Sequence, residues 1–264
     1  MLDFIIQTYV AFKNFFICRR KGLSITKDVS YGDHIRQQYD IFHKKDIEPR
    51  KYPFVIFIHG GGWRRGDKRT WEWYACEMAQ RGYIAISMNY RLAPEATWQE
   101  MNDDVNEIIK LSVNSYDVTI IGSSAGAHLA AWAGFNTKVK RVIPYSGPYD
   151  LEFFLENDNN NALDAHELMK GLLGEDITVK KLKEASPITH LDETKYYANS
   201  LFIHGHGDDV CVVYHAIVMN ESCIKNKKKS ERLLLTKGPH GFEYFPLTKD
   251  AKQAWKKVLD FIEN

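Results

Sequence analysis

Gly122-Ser123-Ser124-Ala125-Gly126 sets a serine between two glycines, each two residues away. An apolar run at 118–121 precedes it, and an Ala-rich run to 135 follows. A strand that turns sharply into a helix strains the residue at the turn, and small residues two positions either side let it close. Ser124 would then stand above the sheet at the positive end of a helix, placed for nucleophilic attack. The competing reading is a glycine turn that cradles phosphate, but the lysine of a P-loop does not follow. His59-Gly60-Gly61-Gly62-Trp63 comes directly after a wholly apolar run at 55–58. Attack on a carbonyl makes an oxyanion, which needs N–H donors fixed in place, and glycines let the backbone come close to it. The N–H groups of Gly61, Gly62 and Ala125 are the expected donors. His59 is read as orienting this loop by hydrogen bonding, not as a base.

A serine nucleophile needs a base, and the base needs an orienting acid. Among ten histidines, His240 lies in Gly-Pro-His-Gly-Phe, after an apolar run at 232–235. Asp208 lies in His-Gly-His-Gly-Asp-Asp, after another at 201–204. Open α/β sheets place their sites at the carboxyl ends of strands, where both residues fall. Asp209 and, more weakly, Asp150 are alternative acids. His204 and His206 are alternative bases.

These residues must be held by a sheet. Short apolar runs at 55–58, 84–87, 118–121, 141–145, 201–204 and 232–235 read as strands, with an earlier one at 38–42. Helical patterns at 70–81, 99–113, 124–135, 214–224 and 250–262 alternate with them. That rhythm predicts an α/β fold, a mostly parallel sheet covered by helices on both faces. It breaks at about 151–200, an excursion with short helices that reads as a lid-like insertion. Residues 1–22 read as an amphipathic helix, a cap on the body; a membrane-surface helix through 2–17, flanked by Arg19, Arg20 and Lys21, is the second reading. The remainder, 23–264, reads as one domain.

Composition narrows the classes. A chain of 264 residues with 44% hydrophobic and 26% charged residues can bury a full core. A net charge of +1 gives no support to a nucleic-acid partner. Four cysteines, 18, 76, 211 and 223, lie far apart. They suggest neither a disulfide scaffold nor a zinc site, and suit a reducing, cytoplasmic compartment. Asp103 and Asp104, early in a helix, and His128, one turn after Ser124, read as structural. Cys211 reads as an inert buried thiol beside the acid loop.

The motifs resemble those of α/β-hydrolase-fold esterases and lipases with an HGGxW loop. That group includes the kynurenine-formamidase-like and feruloyl-esterase-like (BD-FAE-like) enzymes, with hormone-sensitive-lipase-type carboxylesterases nearby. The resemblance runs from about Tyr31 to the C-terminus. It is carried by the glycine loop, Arg64-Arg65-Gly66-Asp67, Asn89-Tyr90-Arg91-Leu92-Ala93-Pro94-Glu95, Asp103-Asp104, GSSAGAHLAA at 122–131, Ser186-Pro187, and the segments around Asp208 and His240. It implies an α/β-hydrolase fold with Ser124 as nucleophile, His240 as base and Asp208 as acid. It also implies an oxyanion hole of Gly61, Gly62 and Ala125. The lipase branch's GDSAGG is GSSAGA here, and its DYRLAP is NYRLAP. Val210-Cys211-Val212 stands where an apolar residue and a proline often follow the acid.

The expectation is a serine hydrolase of a small carboxylic ester, acting through an acyl-enzyme with no metal or cofactor. An N-formyl amide, as in N-formylkynurenine hydrolysis, is the first alternative. A membrane-docked lipid or prenyl-ester hydrolase is the second. A non-catalytic receptor on the same fold would be expected to lack a triad residue. Trp63, Trp98, Tyr149 and Phe153 are the expected pocket aromatics. No oligomeric state is legible.

Overall fold

A computed structural model describes residues 22–45, 52–112, 115, 117–157, 164–194, 196 and 198–264. The expected helix over residues 1–22, and with it the membrane-contact reading of 2–17, lies outside the described residues apart from Gly22.

Eight described strands form one sheet: β1 (Leu23–Ser30), β2 (Gln38–Lys44), β3 (Phe54–Ile58), β4 (Ile84–Met88), β5 (Val118–Ser123), β6 (Arg141–Tyr145), β7 (Asn199–Gly205) and β8 (Ser230–Leu235). Their order is β1-β2-β4-β3-β5-β6-β7-β8. The β1–β2 and β2–β4 pairs are antiparallel, and all the others are parallel.

The apolar runs are explained by burial on both faces. Phe54, Ile56 and Ile58 of β3 face one core, with Ile86, Met88 and Leu129. Val55 and Phe57 face the other, with Trp71, Ile121, Ile143 and Val258. Helices α1 (Glu72–Gln80) and α8 (Lys249–Glu263) cover the second face. Helices α2 (Trp98–Lys110), α3 (Ala125–Asn136) and α7 (Tyr214–Lys225) cover the first. Helix α8 buries Ala251, Ala254, Trp255, Val258, Phe261 and Ile262, the three-and-four spacing of an amphipathic helix. Thr97 and Glu100 form a reciprocal capping box that starts α2. Helix α3 is buried all round, so its sequence shows little amphipathic pattern.

Strand β1 was not legible in the sequence. It is an edge strand of mixed exposure, interrupted by a bulge between Thr26 and Val29 where Asp28 has φ 54°. The segment read as one helix over 70–81 divides into a 3-10 turn, Lys68–Trp71, and α1, because the Asp67 side chain caps the Arg69 N–H. Cys76, on α1, is buried in the second core.

The 151–200 excursion holds α4 (Leu151–Asn157), α5 (Ala165–Leu173), α6 (Val179–Ala185) and a 3-10 turn at Pro187–His190. Two side chains of α3 tie it down: His128 Nε2 donates to the Ala185 carbonyl at 2.7 Å, and Trp132 Nε1 donates to the same oxygen at 2.9 Å. His128 is therefore an anchor, as expected. No helix among the described residues is long and apolar enough to cross a membrane.

Candidate active site

The parallel register brings the carboxyl ends of five strands to one edge. Ile58 pairs with Gly122, Ser123 with Tyr145, Tyr145 with Ile203, and Gly205 with Leu235. The glycine loop, the serine turn, the acid loop and the histidine loop leave from these ends.

Ser124 has φ 53° and ψ −119°, a region that non-glycine residues avoid. Its N–H donates to the Tyr145 carbonyl at 2.8 Å, which fixes the turn. A Cβ on Gly122 would collide with the Gly126 carbonyl, and one on Gly126 would collide with the Ile58 and His59 carbonyls. The flanking glycines are thus required by close backbone approach, across the elbow and between the elbow and the glycine loop.

His240 Nε2 lies 3.0 Å from Ser124 Oγ. Its Nδ1 lies 2.8 Å from Asp208 Oδ2 and 3.0 Å from Oδ1. An ionised carboxylate only accepts, so Nδ1 carries the proton and Nε2 is left to accept the Ser124 hydroxyl. Asp208 Oδ1 also accepts the Val210 and Cys211 N–H groups at 3.0 and 2.8 Å. Burial works against the charge on Asp208, but hydrogen bonds from His204 and His240 outweigh it and hold the carboxyl well below its ordinary range. Burial alone would lower the His240 pKa. The Asp208 hydrogen bond and charge, followed by the charges of Glu243 and Asp209, raise it above 6.5.

The alternatives fall elsewhere. His204 is fully buried behind Asp208, with Nε2 at 2.6 Å from the Cys211 carbonyl and 3.2 Å from Asp208 Oδ2. A carbonyl only accepts, so this nitrogen is a donor that braces the acid loop. The Cys211 backbone serves that loop at both its N–H and its carbonyl. His206 and Asp209 are exposed. Asp150 Oδ1 accepts the Phe153 N–H at 3.1 Å, at the start of α4.

Gly61 has φ 118° and Gly62 has φ 59°, both favourable to glycine. Their N–H groups and that of Ala125 have no partner among the described residues. The loop is held from beneath by groups the sequence reading missed. Arg36 donates to His59 Nε2 at 3.1 Å, to the Gly66 carbonyl at 3.0 Å and to the Tyr90 carbonyl at 3.0 Å. His59 Nδ1 then donates to the Gly60 carbonyl at 2.7 Å. Burial, helped by the Arg36 charge, pushes His59 down to about 4, so it stays neutral and works as a strut. An isolated arginine 23 residues before the motif gives no sequence signal of this role.

The expected pocket aromatics divide. Phe153 is half-buried, its ring tilted against Tyr214 at 4.7 Å, and it lines a small cleft with Ile188, His215 and the buried Tyr149. Trp63 does not present a face to a substrate: it is 1% exposed and packed edge-on against His128 at 5.4 Å. Trp98 stacks on Trp132 at 5.0 Å, and Trp132 in turn anchors the insertion. A large ring is drawn into packing before it is available to a ligand, fully at Trp63 and in part at Trp98, which stays half-exposed. Asp104, expected to serve the helix dipole, is instead buried and paired with Arg91, and only Asp103 is exposed.

Comparison with known proteins agrees with this architecture. The chain is 31% identical over 204 residues to Esterase LipQ of Mycobacterium tuberculosis, covering 65% of this chain and 47% of LipQ. It is 29% identical over 152 residues to the kynurenine formamidase of Danio rerio, covering 53% of this chain and 52% of that enzyme. The chain thus spans about half the length of these curated relatives. Among solved structures, Esterase B from Lactobacillus Rhamnosis superimposes with a TM-score of 0.77 at 16% identity, over 100% of this chain and 96% of that one. This likeness shows the fold, an α/β-hydrolase. The BD-FAE family model matches residues 39–222, which include the glycine loop, Ser124 and Asp208. The chain belongs to the BD-FAE family of α/β-hydrolase-fold proteins.

Proposed function

We propose that this protein is a serine hydrolase that cleaves a small carboxylic ester. The observation that carries the proposal is the continuous hydrogen-bonded line from Ser124 Oγ through His240 to Asp208, at 3.0 and 2.8 Å. The resemblance to LipQ, named an esterase, supports the same reading.

In this mechanism His240 Nε2 takes the hydroxyl proton as Ser124 Oγ attacks the carbonyl carbon. Asp208 holds the imidazole in the required tautomer and stabilises the imidazolium. The N–H groups of Gly61, Gly62 and Ala125 bind the oxyanion; one such donor is worth about 3–4 kcal/mol of barrier. The imidazolium gives its proton to the departing alcohol, leaving an acyl-Ser124. Water, deprotonated by His240, then releases the acid. Every proton moves between Ser124, His240, substrate and water, so the sequence of steps calls for no metal or cofactor. The insertion at 151–200 is assigned the role of lid over this edge, with Phe153 beside the acid loop.

The likeness to a kynurenine formamidase supports a second substrate, an N-formyl amide, for which the same steps hold with an amine leaving group. A panel of p-nitrophenyl acetate, longer acyl esters and N-formylkynurenine, run on wild type and Ser124→Ala, tests both. Ester turnover that disappears in the variant is expected. Equal turnover by the folded variant would overturn the assignment, and formyl-amide turnover exceeding that of every ester would replace the substrate.

A further inference from the structure

Two polar residues that follow His240, one buried and one half-buried, have no part in the steps above. Glu243 and Tyr244 lie in the 3-10 turn Phe242–Tyr244, entered through Gly241 at φ 74°. Glu243 is 1% exposed, and its carboxyl contacts Ser123 Oγ, the residue before the nucleophile. The Tyr244 hydroxyl lies 2.9 Å from the same Ser123 Oγ. It also lies against Gly60, where the glycine loop begins. A Cβ on Gly60 would stand 2.6 Å from the Tyr244 hydroxyl oxygen and 3.1 Å from Ser124 Cβ, so the phenol is wedged where the glycine loop crosses the elbow. Tyr74 donates to the Glu243 carbonyl at 2.7 Å and so fixes the turn from the helix side.

The proton assignment is unambiguous once Glu243 is taken as the terminal acceptor. Ser123 O–H donates to Glu243, and Tyr244 O–H donates to Ser123 Oγ. The chain runs one way and joins the histidine loop to the elbow, with the Tyr244 phenol packed against the glycine loop at Gly60. Linked bonds of this kind reinforce one another away from water.

We propose that Tyr244 and Glu243, acting through Ser123, are positioning residues that lock the oxyanion loop to the nucleophile elbow. The proposal rests on the serine-hydrolase reading. Ser123 and Glu243 are buried, 0% and 1% exposed. The effect of the three residues is on the register between Ser124 Oγ and the N–H groups of Gly61 and Gly62, which matters most when the oxyanion forms. Loosening that register lowers kcat and leaves KM nearly unchanged.

The test uses Tyr244→Phe, Ser123→Ala, the double variant, Glu243→Gln and Glu243→Leu. The readouts are kcat and KM on p-nitrophenyl acetate, inactivation by a fluorophosphonate, and urea unfolding to confirm the folded fraction. Tyr244→Phe and Ser123→Ala are each expected to lower kcat by about 10–100-fold with KM within about twofold. The double variant should lose no more than the worse single one, because one chain is broken once. Glu243→Gln keeps an acceptor and should stay within about fivefold of wild type, whereas Glu243→Leu should fall with Tyr244→Phe. Multiplying losses, or a folded Tyr244→Phe protein that is inactivated as fast as wild type, would overturn the lock alone. A wild type that neither reacts with the fluorophosphonate nor turns over any ester or formyl amide would instead overturn the serine-hydrolase reading beneath it.

Discussion

Asp208 and Asp104 are both buried, 7% and 1% exposed, and both have their oxygens satisfied. Asp208 accepts from the Val210 and Cys211 N–H groups, from His204 and from His240. Asp104 accepts from the Arg91 N–H, from the Arg91 guanidinium and from Gln37. The difference lies in the partner. Arg91 keeps its proton at any physiological pH, and its guanidinium ends on Asp104 and Glu100, which closes the network. His240 can lose and regain a proton, and its second nitrogen faces Ser124. Desolvating a carboxylate and pairing it builds architecture in one place. In the other, on the proposed mechanism, it builds a base.

Conservative substitutions should separate the two acids. Asp208→Asn should lower kcat/KM by about 10⁴-fold, since the amide would hold the wrong imidazole tautomer. Its unfolding curve should stay close to that of wild type. Asp104→Asn should do the reverse: a stability loss of about 2–3 kcal/mol, from weakened charge-assisted hydrogen bonds to Arg91, with kcat per folded molecule nearly unchanged. Urea unfolding paired with turnover measures both. If both variants lose activity in proportion to stability, the distinction fails.

A smaller effect concerns pH. The neutral imidazole is the active form, so activity is lost as pH falls through the His240 pKa. That pKa is raised, so the acid limb of kcat/KM should have its midpoint above 6.5. Asp209 adds to the raise from an exposed position. Asp209→Asn should therefore move the limb slightly downward, and less so in high salt, while changing plateau kcat/KM by under about threefold. A large plateau loss would point to Asp209 as the acid.

The same contrast explains what the sequence could disclose. Strands β3 to β8 were legible because burial on both faces leaves unbroken apolar runs. Edge strand β1 lacks that signature. Ser124, Asp208 and His240 stood out because each follows such a run within a glycine-marked turn, and the structure brings them together. Arg36, Glu243 and Tyr244 did not stand out, and Asp104 did so only as an acidic residue early in a helix, without its partner. Their partners lie 23, 120, 121 and 13 positions away, and hydrogen bonds across such distances leave no local pattern. The aromatics are ambiguous for a similar reason: residue type shows that Trp63 and Trp98 will be packed, but not against what.

The central claim is that Ser124 is a nucleophile activated by His240. The most direct measurement is mass mapping of the site modified by a fluorophosphonate in wild type, Ser124→Ala and His240→Ala. The mechanism predicts one stoichiometric adduct on Ser124 in wild type, none in the folded Ser124→Ala protein, and slow, incomplete labelling without His240. An adduct on another residue, or labelling of Ser124 at the wild-type rate in His240→Ala, would contradict it.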